Sequence, residues 1–173
     1  EEGWLDLLAQ EGFFRHPPAQ QRWPESMYLT RVAGKKPQKV MNIIKLCPST
    51  KNVSVYDNFI QAAMNMPPNI GTQIIPLIQK QEWLKSTYHI LLPHKISEFM
   101  TKLAQDGKIN SALNLAYILT EVVKDPRTTG FRDAKPIFND QWQYKRIVEE
   151  GMEELKTKEP ERVLFIFCSR LEK

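Results

Sequence analysis

Residues Lys36 to Ile78 read KPQKVMNIIKLCPSTKNVSVYDNFIQAAMNMPPNIGTQIIPLI, and this stretch decides the fold class. Val40, Ile43, Ile44 and Cys47 recur at i, i+3, i+4 and i+7; Tyr56, Phe59, Ile60 and Ala63 repeat that spacing. Ile70, Ile74, Leu77 and Ile78 form a third stripe. Such spacing places each apolar set on one face of an amphipathic helix, so the stretch reads as three helices that each bury one side. Pro37 and Pro68 suit the first position of a helix, where the missing N–H costs nothing.

Working outward, the same pattern recurs. Second members of helix pairs begin near Pro37, Pro68, Asn110 and Pro160, at intervals of 31, 42 and 50 residues. Paired helices at such periods are the signature of an α-solenoid, in which each pair needs a neighbour to cover its apolar face. The expected fold class is therefore all-α, an α-α superhelix of about four helical pairs. A short helix over 3–11 and an extended lead-in open a single repeat domain spanning 1–173. Residues 1–23 form the lead-in region, 24–124 regular pairs, 125–140 a long loop and 141–173 the last pair. Within this scheme Tyr88–Gln105, kinked or restarted at Pro93, pairs with Asn110–Lys124.

The segment 160–171 is either a helix or a buried strand. Pro160-Glu161 opens a helix well, and Leu164, Phe167, Cys168 and Leu171 keep helical spacing, which favours the helix. It is apolar on more sides than a terminal helix of a repeat array requires, so another repeat or a partner is expected to cover it.

Composition bounds the function. The 173 residues carry a net charge of +4, with 24 Lys and Arg against 20 Asp and Glu, too mild a surplus to imply nucleic acid alone. No apolar run approaches the ~20 residues of a membrane-spanning helix. A chain opening on Glu1 is expected to be a fragment, a processed form or only the ordered part of a longer chain. Cys47 and Cys168 both fall on expected apolar stripes, as buried free thiols would; a disulfide would require an oxidising compartment. Cytoplasm is the expected location. Asn52-Val53-Ser54 matches a glycosylation sequon.

Motifs of catalysis are missing from the sequence: there is no Gly-rich phosphate loop, HExxH, CxxC or Gly-x-Ser-x-Gly. His89 and His94, at i, i+5, would lie ~140° apart on a helix and share no ligand face. Glu149, Glu150, Glu153 and Glu154, near Lys156 and Lys158, read as a solvated helix face rather than as acid–base pairs. We expect no enzyme activity, no cofactor and no metal. Arg31, Lys45 and Lys51 flank a denser basic group of Lys35, Lys36 and Lys39 at one interhelical turn. A second group, Arg127, Arg132 and Lys135 with Phe131, lies in the long loop. Basic residues beside aromatics can track a nucleic-acid backbone; the plainer reading is that turn lysines keep a repeat protein soluble. The four tryptophans read mostly as core or as wedges between repeats, Trp83 at the handover from the second pair to the third.

The stretch from Trp23 to Leu84 resembles HEAT-like repeat regions of large, uncharacterised bacterial proteins. The matching features are Arg31-Val32-Ala33, the Pro37 turn, the Asn52-Val53 entry and the Met66-Pro67-Pro68 turn. The resemblance implies an armadillo-like or HEAT-like scaffold mediating protein–protein interaction, with a protein partner or neighbouring domain and no small-molecule substrate. The alternative is a nucleic-acid-binding repeat using the basic turns and the 125–140 loop.

Overall fold

Among the described residues Pro24, Pro37, Pro68 and Pro160 open helices and Pro76 and Pro93 fall within a first turn, and the rest of the architecture follows from what those helices bury. A computed structural model describes residues 3–80, 83, 91–124, 136–138 and 151–171. Helices dominate, and the chain divides into two compact units, Glu1–Leu92 and Pro93–Lys173.

In the first unit α1 (Trp4–Gln10) precedes a single 3-10 turn, Phe13–Arg15, within what the sequence suggested was an extended lead-in. Then come α2 (Pro24–Val32), α3 (Pro37–Leu46) and α4 (Val53–Met64). The expected third helix over Pro68–Ile78 is interrupted: α5 (Pro68–Gly71) passes through a 3-10 turn, Thr72–Ile74, into α6 (Ile75–Lys80). Pro76 gives the reason. It has no N–H for the Thr72 carbonyl, and its ring crowds that carbonyl, so the preceding turn tightens to i→i+3 bonding.

Helix α2 lies most extensively against α4, and α3 lies against α5 and the turn after it. First members of the pairs thus form one layer and second members the other. The core between them holds Leu29, Val40, Ile44, Tyr56, Ile60 and Ile78, all at most 2% exposed. An aromatic chain runs through it: Phe14, Trp23 and Phe59 meet edge to face at 6.4 Å, and Trp83 stacks on Tyr56 at 4.3 Å. Trp83 therefore packs in the core, as the sequence implied, whereas Trp4 is exposed.

The α2–α4 seam is polar as well as apolar. Ser26, fully buried, donates its hydroxyl to the Trp23 carbonyl and accepts from the Asn58 amide. The Thr30 hydroxyl lies 3.1 Å from the Ser26 carbonyl and 3.0 Å from that of Asn58. Further along, Asn65 donates to the Thr30 carbonyl at 3.1 Å. Ser26 is buried, Thr30 and Asn58 half-buried and Asn65 exposed, and hydrogen bonds paired across the seam in this way favour one setting of α2 along α4.

The loop before α4 is pinned to the lead-in. Asn52 caps α4 by accepting from the Ser54 N–H at 3.1 Å, while its own amide donates to the Gln21 carbonyl at 2.6 Å. The Tyr56 hydroxyl accepts from the Thr50 N–H and donates to the Thr50 carbonyl at 2.5 Å.

The second unit is also built mainly of helices. Helix α7 (Leu91–Gln105) carries Pro93 in its first turn, where it is tolerated, so the helix starts there instead of kinking. It buries Ile96, Phe99, Met100 and Leu103, the expected stripe. Gly107, at φ 74°, ends it in a Schellman turn: Lys108 N–H bonds the Leu103 carbonyl at 2.8 Å and Gly107 N–H that of Ala104 at 3.2 Å.

Helix α8 (Ile109–Leu119) stops five residues short of the expected Lys124. Thr120 turns its hydroxyl back onto the Ala116 carbonyl at 2.8 Å, and Val122–Lys124 becomes strand β1. It pairs antiparallel with β2 (Pro136–Phe138), Val122 opposite Phe138, inside the span expected to be a long loop. The β-branched pair Val122-Val123 suits a ladder better than a helix end. The remainder of that loop, 125–135 and 139–140, and residues 141–150 of the last pair lie outside the described residues.

Helix α9 (Glu153–Lys158) and α10 (Pro160–Leu171) complete the unit. The segment leading into α9 runs beside α7: Thr101 donates to the Gly151 carbonyl at 3.1 Å, and Lys158 donates to the Ala104 carbonyl at 2.8 Å. Helix α10 lies against α8. Helix α9 also touches α8, so α8 is flanked by both of the last two helices.

Candidate interaction surfaces

The basic turn comes from the way α2 ends. Lys35 and Lys36 both donate backbone N–H groups to the Val32 carbonyl, at 3.0 and 2.9 Å, and Pro37 starts α3 immediately afterwards. Gly34 in this turn passes so near α4 that a Cβ would stand 3.2 Å from the Asn65 carbonyl. Lys35 and Lys39 are exposed and Lys36 is half-buried.

Lys39 already has a partner. Its ammonium sits 2.7 Å from both oxygens of Asp6, thirty-three residues earlier, and the pair joins α1 to α3. Both side chains are more than half exposed, so the pair contributes at most about 1 kcal/mol. Lys45 donates to Gln73 at 2.6 Å, and the Arg31 guanidinium lies 6.0 Å from the centre of the Tyr28 ring. Part of the charge along this edge therefore serves the fold. Arg127, Phe131, Arg132 and Lys135 lie outside the described residues, so only Lys35, Lys36 and Lys39 of the candidate contacts are placed.

The more distinctive surface is on α10. Its core face carries Val163 and Ile166, at 3% and 7% exposure, where the sequence stripe had pointed to Leu164 and Cys168. Leu164 is 63% exposed and Phe165 71%, and Cys168 is exposed beside them. Residues 164 and 168 are one turn apart, with 165 adjacent, so the three share the side opposite the core. A helix apolar all round offers periodicity for either face, and here Val163 and Ile166 meet the rest of the unit. The signal present in the sequence was the surplus of apolar residues, which marked the helix but not the outward side chains.

The two cysteines differ. Cys47 is buried at the end of α3, and loss of hydration pushes its thiol from 9.0 up to about 12, so it stays protonated and inert. Cys168 is exposed, against the expectation of burial. Asn52 is 5% exposed with its amide nitrogen donated to Gln21, so the sequon is closed to glycosylation in the folded chain.

The remaining polar clusters are surface pairs. Glu153 lies 3.6 Å from Lys156 and Glu154 2.8 Å from Lys158, one helical turn apart, as a solvated face would have them. His94 lies 3.2 Å from Glu98; His89, Glu149 and Glu150 lie outside the described residues. Among the described residues no three His, Cys, Asp or Glu side chains cluster as metal ligands, and no helix is long and apolar enough to cross a membrane. Compared with protein-family models, curated proteins and solved structures, the chain matches none of them.

Proposed function

We propose that the chain is a non-catalytic helical-repeat scaffold that binds protein, its pairs belonging to a HEAT-like α-α superhelix. The packing of the first unit supports the repeat reading, because α2 lies on α4 and α3 on α5. The observation that carries the binding reading is on α10, where Leu164 and Phe165 face outward while Val163 and Ile166 fill the core. Large exposed apolar side chains grouped on one helix face are the usual mark of a contact surface. A protein partner or a neighbouring domain is the occupant. A reducing, cytoplasmic setting fits two free cysteines.

The nucleic-acid reading draws on Lys35, Lys36, Lys39 and the 125–140 loop, and it ranks second because Lys39 is already held by Asp6. Affinity capture with the wild-type chain and with Phe165→Asp, using folded material of each, tests the proposal. Proteins retained by the wild type and lost by the variant support it; identical recoveries overturn it. Binding to nucleic acid that weakens steeply with salt would favour the second reading.

A further inference from the structure

We draw no further inference here: the strongest candidate, the outward patch of Leu164, Phe165 and Cys168 on α10, is an unpartnered apolar helix face already used above, and nothing in the structure shows what covers it.

Discussion

The side-chain amide of Asn58 donates to the buried hydroxyl of Ser26 at 2.8 Å, and that hydroxyl donates onward to the Trp23 carbonyl at 2.9 Å. The link joins α4 to the start of α2 through one small side chain. Ser26→Ala removes both bonds and leaves the half-buried Asn58 amide facing a methyl group. Leaving a buried donor unpaired costs about 1–3 kcal/mol, and a half-buried one falls at the low end, about 1 kcal/mol. The variant should show a lower urea midpoint with an unchanged slope; an unaltered midpoint would mean that the Ser26–Asn58 link adds nothing to the fold.

Gly71 is required by close approach. A Cβ there would stand 2.5 Å from the Ala63 carbonyl oxygen, and backbone cannot move aside as a flexible side chain would. Gly71→Ala should destabilise the first unit by about 1–3 kcal/mol, the usual cost of overpacking. Gly3→Ala, with nothing near its Cβ, is the control and should melt with the wild type. Equal melting temperatures for the two variants would contradict this packing.

In the second unit, a Cβ on Gly151 would overlap the Ser97 hydroxyl and stand 3.1 Å from the Met100 methyl. Gly151→Ala should be destabilising, and Ser97→Ala in the same chain should recover part of the loss. A double-mutant cycle reads that coupling directly. Purely additive effects would mean that the two residues do not meet.

How much of this was legible beforehand varied with the kind of signal. Val40, Ile44, Tyr56, Phe59, Ile60 and Ala63 stand in the core where their spacing put them, because a one-sided stripe leaves only one face to bury. On α10 the apolar residues surround the helix, and periodicity could not choose between Leu164 and Val163. The polar seam of Ser26, Thr30 and Asn58 was hidden because such residues read as a solvated face until a second helix packs against them. The turn at Thr120 had no glycine or proline to announce it. Of the candidate contacts, Lys39 looked available because Asp6, its partner, is remote in sequence and close only in the fold.

Stability should fall in alkali. Burial raises the Cys47 thiol to about 12 and also raises the Tyr56 phenol, so both groups favour folding while neutral. Raised folded-state values mean that this stabilisation is complete below the unfolded value, near 9.0 for the thiol, and is lost as pH climbs towards about 12. Each such group adds a slope of up to about 1.4 kcal/mol per pH unit in that window. Cys47→Ala should flatten the decline above pH ~9, as followed by chemical denaturation at stepped pH. An unchanged slope would show that the thiol is not buried.

Thiol titration separates the cysteines. In the folded chain one equivalent, Cys168, should react promptly with a water-soluble disulfide reagent, and Cys47 only after unfolding. Cys168→Ser should abolish the fast phase. No fast phase in the wild type would place Cys168 in the core and reverse the face of α10.

The most direct test of the account compares the two sides of that helix. Val163→Asp and Ile166→Asp put a charge on the core face and should unfold the second unit. Leu164→Asp and Phe165→Asp alter only exposed positions and should keep the wild-type helicity and melting temperature while losing the retained protein partner. Melting curves and affinity capture on these four variants are the measurement. If the outward pair instead unfolds the chain, or keeps every partner the wild type holds, the claim that α10 buries one apolar face and offers the other for binding is contradicted.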